Sequence, residues 1–482
     1  MLNMKPGLAI YWFRQDLRLS DNPALCWASQ NEYVLPIYIL DDENPGMFKM
    51  GEASRLWLHH ALISLNISIE NNLACYQGDA LKILLSLINL LPVQSVAWNR
   101  CYEPWRRERD KKIKQQLTAQ KIIVKSFNAS LLWEPWTILK TDGTPYKVFT
   151  PFYQKGCLNA CPPRTPIAKP TKINWYKNKL HALSIGQLSL ASDKSWSQSI
   201  EKHWDISEAG AHQQFSAFLE VGLPDYKGGR DYPSKPCPSR LSPYLHFGQI
   251  SPHEIWELIS LQTPTEHTAH FCSELGWREF SYNLLFYNPD LSINNIQQKF
   301  NDFPWQDNVT LLEAWQQGKT GIPMVDAGMR ELWQTGYMHN RVRMIVGSFL
   351  VKNLLLHWQY GERWFWDCLV DADLANNSAS WQWIAGCGAD ASPYFRIFNP
   401  VTQGQKFDAE GKYIRRFIPE IAGLPNKYLF SPWLAPQDVL DVLQIKLGDT
   451  YPYPVVDLQI SRKEALAAFK SLSKDSSILG KF

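Results

Sequence analysis

No run of about eighteen uncharged apolar residues occurs in the 482-residue chain, so nothing in it reads as a membrane span. The opening stretch MLNMKPGLAIYWFRQDLRLSDN is interrupted by Arg14, Asp16 and Arg18 and lacks the long apolar core of a signal peptide, so a soluble, cytoplasmic protein is expected. Net charge is scarce as well: 49 Lys+Arg against 46 Asp+Glu leaves +3. A balance that close excludes neither a nucleic acid nor a small ligand, because a basic face can hide inside it. The nine cysteines are scattered and only Cys157 and Cys161 are close, with no second pair at zinc spacing after them. No metal site is expected, and the thiols read as buried or free in a reducing compartment. Internal repeats and low-complexity tracts are missing too. So is a glycine-rich dinucleotide loop after the first strand.

Aromatic residues are plentiful instead, at 13% with 21 Trp. In LANNSASWQW, residues 374–383, Trp381 and Trp383 stand close behind Asn376 and Asn377. They suit either a helix core or rings set beside a redox group.

Strand-like runs at 7–13, 34–41, 73–79, 95–100 and 121–127 alternate with helical patterns at 54–69, 80–91 and 104–120. This alternation predicts a doubly wound parallel sheet, an α/β domain over residues 1–140. Proline, serine and lysine dominate 157–204 without a sustained period, so 141–204 reads as a long interdomain loop. Beyond residue 205 strand signals fade and helical spacing prevails, giving an all-α domain over 205–482.

The motifs lie in that second part. MHNRVRMIVG puts Asn340, Arg343, Met344 and Gly347 on one helical face. An amide, a guanidinium, a thioether and a missing side chain make a poor core, and the glycine admits something flat. Asp371 and Asp373 in DADL suit one carboxylate for an arginine and one for a ligand N–H; a salt-bridged helix junction weighs as much. Ser239 and Ser242 precede a helical run and can cradle phosphate, although the ordinary helix cap is favoured. Glu274, Trp277 and Arg278 in SELGWREF form either a surface ion pair or a cavity wall. SPYFRIFNPVTQGQKFD, residues 392–408, interleaves Tyr394, Arg396, Asn399, Gln403 and Lys406 in a way that suits a phosphate backbone.

Together, WFRQDLRLSDNPAL, SRLSPYL, WREF, GKTGIPMVDAGMREL, GYMHNRVRM, FLVKNLL, DADLANNSASWQW and YFRIFNPVTQGQKFD resemble the photolyase/cryptochrome family, in order and across nearly the whole chain. The likeness is nearest to class I cyclobutane pyrimidine dimer photolyases. It implies an α/β antenna domain joined by a long loop to an all-α FAD-binding domain, and light-driven repair of DNA by a monomeric lyase. Tyr226, Ser239, Leu241 and Ser242 would hold the FAD phosphates, with Arg278 beside them and Pro238, Arg240, Phe271 and Ala372 nearby. Asp371 would pair with Arg343, Asp373 would meet the pyrimidine edge of the flavin, and Asn377 would sit at N5. Glu274 would stabilise charge on the dimer, Trp277 and Trp383 would pack on it, and Asn340 and Met344 would line the same hole. Arg230, Arg341, Arg396, Gln403 and Lys406 would hold phosphates of the damaged DNA. Trp381, Trp358 and Trp305 match the family's electron relay.

The chain departs from the family pattern at Phe271, often Trp, and at Pro238, often Thr. Folate-binding members carry an Asn-Glu pair where this chain has Trp105-Arg106, which counts against a folate antenna of the usual kind; a second, antenna chromophore stays open among deazaflavin, folate and flavin, with an empty pocket as the alternative. Repair of the (6-4) photoproduct is disfavoured because Asn340 follows a lone His339. A cryptochrome-type photoreceptor is the principal alternative.

Overall fold

The computed structural model describes residues 5–191, 195–394 and 396–475. The chain forms two compact units, one of Met1–Glu220, Ser239–Pro289 and Val370–Asp373, the other of Val221–Pro238, Asp290–Leu369 and Leu374–Phe482.

In the first unit, β1 (Lys5–Phe13), β2 (Asn31–Leu40), β3 (Ala74–Gln77), β4 (Val93–Asn99) and β5 (Ile123–Phe127) form one parallel sheet in the order β3-β2-β1-β4-β5. The order runs outward from β1 on both sides, which is the doubly wound arrangement that the strand–helix alternation predicts. Leu8 to Phe13 are at most 3% exposed, as a central strand covered on both faces requires. Trp12 and Trp98, paired across β1 and β4, meet edge-on at 5.8 Å within the core. Pro36 interrupts β2 without loss, because β3 pairs only from Ile37 onward. The edge that β3 leaves open is taken by the connector: Val34 N–H donates to the Asn174 carbonyl and Tyr176 N–H to that of Val34, at 2.9 and 2.8 Å.

Helices α1 (Glu52–Ser68), α2 (Ala80–Leu90) and α3 (Pro104–Ala119) link the strands. Asp79 caps α2 by accepting from Lys82 N–H, and proline opens α3, where its missing N–H costs nothing. The unit also contains α4 (Ser242–His246) and α5 (Glu266–Tyr287).

The second unit is helical, and no strand is assigned in it among the described residues. It contains α6 (Pro323–Thr335), α7 (Asn340–Ser348), α8 (Trp358–Cys368), α9 (Leu374–Ala385) and α10 (Pro400–Phe407), with a π turn, Phe349–Asn353, directly after α7. Among the described residues no helix is long and apolar enough to cross a membrane. All nine cysteines are free, and six of them are buried.

A charge network is buried beside the sheet. Asp110 accepts from Arg14 at 2.6 Å and from Arg109 at 3.0 Å, and Arg109 reaches Asp41 at 3.0 Å. Removing the shared acid leaves the buried Arg14 without an acidic partner and Arg109 with Asp41 alone. Asp110→Ala is therefore expected to cost about 3–5 kcal/mol of unfolding free energy in urea titrations; a loss below 1 kcal/mol, the range of a surface pair, would contradict this.

Candidate functional site

Each unit carries its own group of the residues singled out in the sequence. In the first, the Val370–Asp373 segment is held by side-chain donors. Ser242 Oγ donates to Asp371 Oδ2 at 2.6 Å, and Tyr282 OH donates to Asp373 Oδ2 at 2.5 Å, with His246 Nδ1 at 3.3 Å from the same oxygen. Asp371, Ala372 and Asp373 are all buried. Burial and then the charge of Asp373 hold the Tyr282 phenol well above its ordinary range, so it stays a donor.

Ser242 is not the helix cap favoured from the sequence. Leu241 occupies the cap position of α4, and Ser242 is the first helical residue with its hydroxyl committed to Asp371. Ser239 Oγ lies 3.5 Å from Leu241 N, and Arg240 between them has φ +54°, an unusual backbone for a side-chain-bearing residue.

On α5 the ion pair made by Arg278 is with Glu279, at 2.9 Å, rather than the surface pair with Glu274 entertained above. Glu279 is buried and also accepts from Trp133 N–H at 3.1 Å; burial, opposed by Arg278, pushes its carboxyl up to about 7. Glu274 faces His270 at 3.9 Å and stays partly exposed. One face of Trp277 is stacked on Phe149 at 3.8 Å. Phe271 is buried against Phe218 at 4.6 Å. Trp105 and Arg106, where a folate pair would stand, lie at the start of α3; Arg106 stacks on Trp105 and reaches Glu103 at 3.3 Å.

The second unit gathers its residues where α8 meets α9. Asn377 is 8% exposed, and its Nδ2 donates to the Glu362 carbonyl at 2.9 Å, which leaves the amide oxygen to face elsewhere. Ser378 Oγ donates to Glu362 Oε1. A Cβ on Gly361 would come within 2.1 Å of the Trp381 ring, and one on Gly347 within 3.6 Å of the same ring. The flat group that Gly347 admits is thus the indole of Trp381, together with Ile384 at 3.3 Å. Trp358 is fully buried with its indole N–H on Asn295 at 2.9 Å, while Trp305 is half-buried; His357 stands between them, 5.6 Å from Trp358 and 5.2 Å from Trp305. Trp383 is half-buried, Asn340 is exposed, and Met344 is half-buried on α7.

Arg343 Nε donates to the Met338 carbonyl at 2.8 Å. Arg341 is paired with Asp231 at 2.6 Å and lies over Phe407 at 4.5 Å, the ring that Lys406 also approaches, at 5.0 Å. Arg230 lies over Tyr226 at 5.4 Å. Pro238 and Gln403 are half-buried, and Arg396 is exposed. Phe395, inside the 392–408 stretch, lies outside the described residues. Nothing in the sequence marks Ser378, Tyr282 or His246, and GER at 361–363, inside the tryptophan-rich α8, is the one hint of Glu362.

Residues 271–471 match the FAD binding domain of DNA photolyase, and residues 9–171 match the DNA photolyase domain. The fold and the matched domains thus define a flavin-binding, photolyase-type class. A deoxyribodipyrimidine photo-lyase of Agrobacterium fabrum is 43% identical over 98% of this chain and 100% of its own. Cryptochrome-1 of Arabidopsis thaliana is 34% identical over 94% of this chain and 68% of its own. A solved structure described as a bacterial class III photolyase from Agrobacterium tumefaciens superposes with a TM-score of 0.93 at 43% identity, covering 98% of both chains. The chain belongs to the DNA photolyase family.

Burial pushes the Glu362 carboxyl from its ordinary 4.5 up to about 7, against the opposing Ser378 hydroxyl. The folded state then holds a proton that the unfolded chain has lost, so this group's stabilisation is full below 4.5 and disappears as the pH rises through 7. The unfolding free-energy difference between wild type and Glu362→Gln should change by about 3 kcal/mol between pH 4.5 and 7. A difference that stays flat with pH would show that this carboxyl titrates normally.

Proposed function

We propose that this protein repairs cyclobutane pyrimidine dimers in DNA in a light-driven reaction that uses FAD. The observation that carries the reading is the buried amide of Asn377, oriented by the Glu362 carbonyl so that its oxygen is free to meet a ligand N–H. The full-length relative named a photo-lyase supports it. The relative named a class III photolyase is equally complete, so the class I expectation is not carried forward.

Residues 1–140 would form the antenna domain with a second chromophore, 141–204 the connector, and 205–482 the helical part that binds FAD and DNA in a cytoplasmic monomer. Tyr226, Pro238, Ser239, Arg240, Leu241, Ser242, Phe271 and Arg278 would hold the FAD phosphates and their surroundings. Arg343, Asp371, Ala372, Asp373 and Asn377 would hold the flavin ring. The residue types suit such a ligand, buried carboxylates for ring N–H groups and arginines for phosphate, while the Ser242 hydroxyl serves Asp371. Held by these residues, FAD would supply light-driven one-electron chemistry at the lesion without net redox change.

The chain's own residues do the rest. Glu274 hydrogen-bonds the dimer carbonyls and stabilises the charge that develops there. Trp277 and Trp383 pack on the flipped-out pair, and Asn340 and Met344 line its cavity. Arg230, Arg341, Arg396, Gln403 and Lys406 hold phosphates. Trp305, Trp358 and Trp381 pass electrons inward when the flavin is oxidised; Trp381 lies against α8, the helix that Trp358 begins. A photoreceptor role is the second reading, favoured by the Arabidopsis cryptochrome match.

Purified, reduced protein under blue light should remove dimers from irradiated oligonucleotides and leave (6-4) products in place; dimers untouched by light would overturn the dimer-repair reading. Trp305→Phe should slow photoreduction of oxidised flavin at least tenfold with repair by pre-reduced protein nearly intact, and equal loss of both would remove the relay assignment. Glu274→Ala should lower repair yield more than DNA affinity, and the reverse pattern would deny it contact with the lesion carbonyls.

A further inference from the structure

Lys352 is fully buried, at 0% exposure, in the π turn Phe349–Asn353 that follows α7. An ammonium removed from water is costly unless it is hydrogen-bonded. Burial and then the charge of Arg396 push this lysine down to about 7. Its Nζ donates to the main-chain carbonyl of Arg396 at 2.8 Å and stands 5.4 Å from the centre of the Tyr394 ring. None of the roles proposed for flavin or lesion uses it.

The acceptor lies between α9 and α10, in a stretch whose described residues belong to no helix or strand. Such a stretch depends on individual hydrogen bonds for its shape. Two of its ties go to one place on the scaffold. Phe398 N–H donates to Ser348 Oγ, at the buried end of α7, at 3.2 Å, four residues before Lys352. The stretch then enters α10 through Asn399, which caps Val401 and Thr402 N–H at 3.0 and 3.3 Å. The Arg396 side chain, by contrast, is exposed. A buried amino group thus fixes the carbonyl of a residue whose own guanidinium is exposed. A methionine of similar length would fill the space but leave that carbonyl unpaired.

We propose that Lys352 is a positioning residue for DNA binding, anchoring the Arg396 main chain so that the Arg396 guanidinium is presented to a DNA phosphate. This rests on the DNA-repair reading above. It predicts that Lys352 acts through Arg396, which a general structural role does not.

The test is a double-mutant cycle on FAD-loaded protein. Affinity for a duplex oligonucleotide carrying one thymine dimer is read by fluorescence anisotropy over a series of salt concentrations. Arg396→Ala and Lys352→Met should each raise Kd roughly tenfold. Each should also flatten the dependence of log Kd on log salt by about 0.9, one phosphate contact. The double variant should bind no more weakly than Arg396→Ala alone. Flavin absorbance and photoreduction of Lys352→Met should match wild type. Full additivity of the two substitutions, or wild-type affinity in Lys352→Met, overturns the proposal while leaving the repair reading intact. Should Lys352→Met fail to fold, Ser348→Ala releases the neighbouring tie and should raise Kd about threefold, again absorbed by Arg396→Ala; additivity there overturns the proposal equally. A wild-type protein that does not prefer dimer-containing DNA fails the repair reading itself, and the proposal with it.

Discussion

The contact of α8 with α9 at Gly361 is the constraint on which the second unit's arrangement depends. Any side chain there would occupy the space of the Trp381 ring. The missing Cβ lets the two helices close until the Glu362 carbonyl reaches the Asn377 amide and the Glu362 carboxyl reaches Ser378. One absent methyl group thus sets an indole, an amide and a buried acid in fixed relation. A glycine inside a helix costs about 0.5–1 kcal/mol against alanine, so the close approach offsets a real penalty.

The first unit follows the same logic by other means. Its sheet buries Leu8–Phe13 of β1, while its polar groups are held in chains of donors: Arg14 and Arg109 on Asp110, Tyr282 on Asp373, Ser242 on Asp371. Glu279 and Glu362, one in each unit, are buried carboxyls lifted toward neutrality by desolvation. Each is held by specific donors, so each fixes local geometry while making stability depend on pH. Lys352 is the basic counterpart, pushed down by burial and donating to a single main-chain carbonyl.

Much of this is legible in the sequence. The five strands follow from short β-branched and aromatic runs alternating with amphipathic ones, because a parallel sheet leaves that period in the chain. Asp371 and Asp373 stand out by their spacing, with a salt-bridged junction weighing as much, whereas Asn377 stands out only through the family resemblance. What the partners are is not legible. Ser242 reads as a cap because serine usually is one, and only the fold brings Asp371, 129 residues away, to its hydroxyl. Arg278 pairs with its neighbour Glu279 rather than with Glu274 one turn back, since Glu279 is the buried acid. Glu362 and Lys352 resemble ordinary surface charges in a helix until burial is known. The meaning of Gly347 lies in Trp381, 34 positions on, and no local pattern carries that.

Every role assigned to the site residues depends on this chain holding a flavin. The most direct measurement is the absorption spectrum of the purified protein, with chromatography of the released chromophore. The account predicts one FAD per chain, visible as flavin absorption in the protein as isolated or after incubation with FAD. Protein that carries no flavin and takes none up would contradict it.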